Sequence, residues 1–152
     1  NIITETRHGF VCAASGVDAS NIPGDSHAAL LPEDPDASAR RIREGVIKLL
    51  GFPVAVIVSD TFGRPWREGA TNVAIGVAGI KPVTDYRGTM DTCGHMLRTT
   101  TIATADELTS AAELVSARTL GVPVAIIRGY QYETGPDGVK ALLRERSMDL
   151  FR

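Results

Sequence analysis

The sequence predicts an α/β protein. Stretches with helical hydrophobic spacing alternate with short, continuous apolar runs, as expected for helices packed on buried strands. The helical stretches also carry start and stop signals: Asp34-Pro35 before one, Thr104-Ala-Asp-Glu107 before the other, and a glycine after each. At 152 residues the chain is long enough for one domain with its own core. No internal repeat, low-complexity tract or linker divides it.

The amino-terminal region, to about residue 33, is a series of short apolar runs broken by turns. Ile2–Ile3 and Phe10–Ala13 suit strands, and the polar Gly16–Asn21 run suits a loop. A helix then follows. Asp34 suits the N-cap, Pro35 the first helical position and Asp36 the electropositive first turn. Ile42, Val46, Leu49 and Leu50 share one face, and Gly51 suits the stop. Residues 53–58 form a continuous Val/Ile-rich run, which reads as a strand buried on both faces.

Residues 72–80 (NVAIGVAGI) contain internal glycines, which favour a strand or close-packed backbone over a helix. Residues 81–98 are polar and irregular. Thr104-Ala-Asp-Glu107 has the form of a capping box. Leu108, Ala111, Ala112 and Val115 then give a core face, with Gly121 as the stop. The run VPVAII, 122–127, reads as a second buried strand. After a GPDG turn, Val139, Leu142 and Leu143 suit a last helix.

Composition excludes several classes. The net charge of −2 provides no basic field for nucleic acid. No apolar run approaches the roughly 18 residues of a membrane span. Cys12 and Cys93 form no Cys-x-x-Cys pair, which favours free thiols in a reducing cytosol and a cytoplasmic location. No signal peptide is apparent, yet the chain starts at Asn1 with a run that reads like the interior of a domain, so an upstream segment is expected.

In open α/β sheets ligands gather beyond the carboxyl ends of strands. Two runs occupy such places here, Ser59–Gly69 (SDTFGRPWREG) and the segment from Arg128. Asp60-Thr61 is a hard oxygen pair suited to Mg²⁺ or Mn²⁺. Magnesium takes few protein ligands, and Asp18 in GVDASN is the best second acid, with Asn21 close by. The same residues also suit a helix cap or Asx-type turns. Arg64 and Arg67, bracketing Pro65-Trp66, suit either an oxyanion clamp or ordinary ion pairing. Asp85, Arg87 and Asp91 favour structural salt bridges.

His8, His27 and His95 lack zinc-site spacing. No Walker loop and no G-x-S-x-G elbow is present. An aspartyl-phosphate hydrolase would want a second Asp two residues after Asp60, where Phe62 stands.

Taken in order, HGFVCAASGVDASN, LLPEDPDASARRIR, VIVSDTFGRPWREGATNVAIGVAGIKP, DYRG, TADELTSAAELV and DLFR resemble the coenzyme F420-0:L-glutamate ligase family along nearly the whole chain. The resemblance implies a mixed sheet with flanking helices. Residues 1–152 would form one partial ligase domain, its later three-fifths, without the amino-terminal part that supplies other guanine-nucleotide contacts. It implies a cytoplasmic homodimer that uses GTP to join L-glutamate to coenzyme F420-0 through an acyl phosphate, with further γ-linked glutamates added in some members.

It also implies two Mg²⁺ or Mn²⁺ sites and K⁺ as an auxiliary ion. By resemblance, Asp18 and Asp60 ligate one metal, Thr61 ligates a second, and Asn21 contacts the nucleotide. One departure bears on the second metal: where the family has a glutamine or glutamate after AAELV, this chain has Arg118, which cannot ligate a cation. That departure and the absent front end favour the rival reading, a non-catalytic nucleotide- or F420-binding module.

Overall fold

A long antiparallel hairpin organises the chain. In this computed structural model residues 2–24 and 26–151 are described. Two short strands come first, β1 (Ile3–Glu5) and β2 (Val11–Ala13), paired antiparallel. Thr6 closes the turn between them: its Oγ1 accepts from Phe10 N at 3.1 Å and its carbonyl from Gly9 N at 3.0 Å. A single 3₁₀ turn, Ala14–Gly16, leads into the loop that carries Asp18.

Helix α1 (Pro35–Leu50) forms where its local signals place it. Asp34 Oδ1 accepts from Ala37 N at 2.8 Å, Pro35 stands at the first position, and Gly51 ends the helix with φ 76°. The packed face differs from the expected one. Pro35 and Ala39 are buried, while Ile42, Leu49 and Leu50 are exposed. Glycines explain the difference. A Cβ at Gly76 would sit 2.2 Å from the Pro35 carbonyl oxygen, and one at Gly79 would sit 2.2 Å from Arg43 Nε. The helix therefore docks with its start backbone close to backbone at Gly76 and with Arg43 laid over Gly79, while Ile42, Leu49 and Leu50 face outward.

The hairpin comprises β3 (Val56–Arg64) and β4 (Arg67–Ala78), with register irregularities at Val58/Ser59 and Phe62/Arg64. The strand expected over 53–58 thus begins at Val56 and runs on through the polar residues read as a loop. Ser59–Arg64 is strand, and only Pro65-Trp66 turns. Burial on both faces belongs to the end of β4 instead, where residues 74–80 are all buried. That segment joins Phe10, Ala105 and Val139 in the core. The expectation for 72–80, a strand with close-packed backbone, holds.

Side chains close the outer edge of β4. Asp106 Oδ1 accepts from Ala74 N at 2.8 Å, Asp36 Oδ1 from Val77 N at 2.8 Å, and Asp137 Oδ1 from Gly79 N at 2.9 Å. The Asn72 main-chain carbonyl accepts from Ser110 Oγ at 2.9 Å, with Thr109 Oγ1, which donates to the Asp106 carbonyl at 2.9 Å, also 3.2 Å away. Buried backbone groups need partners, and here carboxylates and hydroxyls supply them instead of another strand.

Strands β5 (Thr84–Asp85) and β6 (Thr101–Ile102) pair antiparallel, as do the other ladders, and lead into α2 (Thr104–Ser116). The expected capping box is not formed. Ala103 is the N-cap, and Thr104 Oγ1 instead lies 2.6 Å from Thr84 Oγ1, tying the helix start to β5. The helix ends at Ser116, ahead of Gly121.

Residues 122–127 are not a strand. No neighbouring strand among the described residues pairs with them, and Val124 and Ile126 are 73% and 75% exposed. Val139–Leu142 is a 3₁₀ turn where a helix was expected, its Val139 amide held by the Asp36 carboxylate at 3.0 and 3.2 Å. No described helix is long and apolar enough to cross a membrane.

Candidate active site

Asp60 and Thr61 sit in mid-strand on β3, so successive side chains project to opposite faces. Asp60 is half-buried, and its Oδ1 accepts from Thr61 N at 2.7 Å. Burial pushes its carboxyl above the usual range. The Asp18 charge adds to that rise, while the Thr61 amide and Arg118 oppose it. Asp60 also reaches the buried Cys12 on β2, whose thiol is pushed up first by burial and then by the Asp60 charge.

Asp18 is exposed on its loop. Its backbone is pinned in a bridge to Ala29, with N–H···O bonds of 3.1 and 2.7 Å. Its carboxylate accepts from the Ser20 amide at 2.8 Å and the Ser20 hydroxyl at 2.7 Å, an Asx-type turn. Those two bonds hold it below the usual carboxylate range, with Arg118 adding to the effect. The charges of Asp18, Asp60 and Arg118 thus act on one another, the two carboxylates opposing and the guanidinium offsetting. Asn21 lies on the same loop, exposed, with φ 56°.

Thr61 faces the other way. Its hydroxyl donates to Asn72 Oδ1 at 2.7 Å, and Asn72 Nδ2 donates to Glu113 Oε2 on α2 at 2.9 Å. The sequence reading missed Asn72 and Glu113. The register of the hairpin, which sets Thr61 opposite Asn72, is the signal that points to the first of them.

Several other candidates make local contacts. Arg64 donates to the Glu68 carbonyl at 2.7 Å and the Gly69 carbonyl at 3.3 Å, bracing the hairpin tip. Trp66 is 81% exposed, with φ 56°, and its ring lies 4.8 Å from that of Phe151. Arg87 forks onto Asp85 at 2.6 and 2.9 Å, and the hydrogen bonds from Arg87 bring the Asp85 carboxyl down to about 2. Asp91 accepts from Cys93 N and His95 N, each at 2.8 Å. Cys12 and Cys93 are free thiols, as expected.

Two cavities flank the hairpin. The larger, about 930 Å³, is bordered by His8, Phe10, Asp34, Val139 and Arg144. The smaller, about 610 Å³, is bordered by Asn72, Ile102, Asp106, Ser110 and Glu113. Asp18, Asp60 and Thr61 line neither.

Among the described residues no group of three or more His, Cys, Asp and Glu side chains is assembled for a metal. Asp18 and Asp60 offer carboxylate oxygens, hard donors of the kind that suit a cation keeping most of its ligands from water or phosphate.

The chain is therefore an α/β protein built around an antiparallel hairpin, with the Asp60 carboxylate on one strand and Asp18 on a loop of the amino-terminal region. Residues 1–129 match the F420-0:Gamma-glutamyl ligase family, and the chain belongs to that family. It is 51% identical over 154 residues to the coenzyme F420:L-glutamate ligase of Methanothermobacter thermautotrophicus. The corresponding ligase of Methanocaldococcus jannaschii is 49% identical over 152 residues, and that of Methanopyrus kandleri 47% over 156. Each match covers 99% of this chain, which spans 61%, 60% and 62% of the respective relatives.

Proposed function

We propose that this chain is part of a GTP- and divalent-metal-dependent ligase that joins L-glutamate to coenzyme F420-0. The observation that carries the reading is the match across 99% of the chain to proteins named as that ligase. In the proposed reaction a carboxylate oxygen of F420-0 attacks the γ-phosphorus of GTP and GDP leaves. The glutamate amine then attacks the acyl carbon, phosphate departs, and the amine proton is lost as the amide forms. Further γ-linked glutamates extend the product by the same chemistry.

Phosphoryl transfer asks a protein mainly for positioning and charge neutralisation. A divalent cation, Mg²⁺ or Mn²⁺, supplies that neutralisation when bound. Asp18 and Asp60 would hold one such ion, and Thr61, on the opposite face of β3, a second. Asn21 would contact the nucleotide. The mutual effect of the two carboxylate charges supports the first assignment. K⁺ as an auxiliary ion, a homodimer and a cytoplasmic setting belong to the same proposal. Apolar surface left open on α1 and along 122–127 favours a covering partner.

The test is Mn²⁺-supported incorporation of glutamate by the full-length polypeptide. Asp60→Asn should abolish incorporation while leaving the melting temperature near that of the parent. Retained activity in that variant would exclude Asp60 as a required ligand.

Arg118 favours a second reading. Its charge lies within reach of both Asp18 and Asp60, where it lowers the demand for a cation. In a non-catalytic nucleotide- or F420-binding module, calorimetry would register GTP binding with Mn²⁺ and the incorporation assay would register no turnover.

A further inference from the structure

Residues 122–127 (VPVAII) have the residue types of a buried strand and the surroundings of none. Val122, Val124 and Ile126, which share one face of an extended chain, are exposed, and so is Ile127 on the other. Among the described residues no backbone hydrogen bond reaches any of the six. The bare stretch begins earlier. Leu114, Val115 and Leu120 are exposed too, and Arg118 is the one charge between Leu114 and Ile127. Elsewhere the same fold guards such a border: carboxylates occupy the Ala74, Val77 and Gly79 amides of β4. An apolar strand without such protection is a template for aggregation unless a neighbour occupies it.

The relatives supply that neighbour. This chain spans 61% of one and 60% of another, so each carries further polypeptide with no counterpart in residues 1–152. Pro123 sets the edge on which pairing occurs. In a strand the N–H and C=O of one residue point to one edge, and those of the next residue to the other. Pro123 has no N–H, so the edge it shares with Ala125 and Ile127 is one donor short. The complete edge belongs to Val122, Val124 and Ile126.

We propose that the partner covering 122–127 is a β-strand of the same polypeptide, from outside residues 1–152, paired through the backbone of Val124 and Ile126. Main-chain hydrogen bonds supply the affinity of such strand addition, and side-chain contacts its specificity. Cross-strand neighbours share a face, so the incoming strand carries apolar side chains opposite Val124 and Ile126. This pairing rests on the bare backbone and on the length of the relatives, and not on the ligase activity.

The experiment is residue-resolved amide hydrogen exchange on the full-length polypeptide without ligands. The Val124 and Ile126 amides should exchange about a hundredfold or more slowly than in an unstructured peptide of the same sequence, and more slowly than those of Ala125 and Ile127. Unprotected exchange at Val124 and Ile126 would overturn the proposal. Protection that is lost on dilution to the monomer, followed by sedimentation, would assign the strand to a second copy and overturn it as well; protection independent of concentration supports it. Ile126→Pro removes a donor from the paired edge and Ile127→Pro one from the other, so the first should lower the melting temperature more. Equal losses would overturn the edge assignment. If Ile126→Pro does not fold, exchange in the parent carries the decision. Glutamate incorporation by the parent is measured separately, so failure of the ligase reading and failure of the pairing are told apart.

Discussion

Replacing Asp36 with alanine should unsettle the centre of the molecule far more than its place in an exposed-looking first turn suggests. From sequence, its role is to favour the positive end of α1, an effect of about 0.3–1 kcal/mol. In the structure its carboxylate accepts from Val77 N at 2.8 Å and from Val139 N at 3.0 and 3.2 Å, joining α1, β4 and the carboxy-terminal 3₁₀ turn. Alanine removes both acceptors and leaves two amides of buried residues without partners. Each orphaned donor costs about 1–3 kcal/mol, and partial access to water favours the lower half of that range, giving a loss of about 3 kcal/mol.

For a chain of this length that loss corresponds to a fall of about 6–12 °C in melting temperature. Asp36→Asn keeps one carbonyl oxygen and should fall between the parent and the alanine variant. Urea denaturation monitored by circular dichroism gives the free energies. Amide hydrogen exchange should show faster exchange at Val77 and Val139 in particular. An Asp36→Ala variant within 0.5 kcal/mol of the parent, with both amides still protected, would refute this account of the residue.

Two further outcomes are expected. Burial pushes the Asp106 carboxyl above the usual range even though it accepts from Ala74 N, so the folded chain holds that proton more tightly than the unfolded chain. The resulting penalty is present above the folded pKa and fades as pH falls through it. Asp106→Asn keeps an acceptor without the charge, so its melting temperature should gain on the parent's as pH rises from about 4 to 7; a pH-independent difference would count against the argument. For the thiols, buried Cys12 has its pKa raised while Cys93 is exposed, so a thiol reagent should modify Cys93 first. Mass spectrometry of a partly labelled sample reads the order, and prior labelling of Cys12 would contradict it.

Local signals were the legible part of the fold. Asp34, Pro35 and Gly51 each act within a turn of their own position, and α1 has the predicted ends. Its packed face was hidden because it depends on distant glycines, Gly76, which admits the helix backbone at Pro35, and Gly79, which admits the Arg43 side chain. The polar run after Val58 looked like a loop because an acid, two hydroxyls and a glycine suit loops. Pairing with β4 overrides that preference. Residues 122–127 show the converse: strong strand propensity yields no strand where no neighbour among the described residues offers a ladder.

In the candidate site, Asp18, Asp60 and Thr61 stood out by residue type and by family resemblance. Asn72 and Glu113 did not. Their bond spans 41 residues and depends on the hairpin register and on the angle at which α2 arrives.

The outer margin of β4 has a consequence for behaviour in a crowded solution. A strand border with bare amides invites pairing with the same border of another molecule, the first step of fibrillar growth. Here Asp36, Asp106 and Asp137 already occupy the donors such a visitor would seek. The carboxylates hold the strand's main chain while its inward side chains are taken up by the core, and the most apolar segment of the chain is kept from templating its own aggregation.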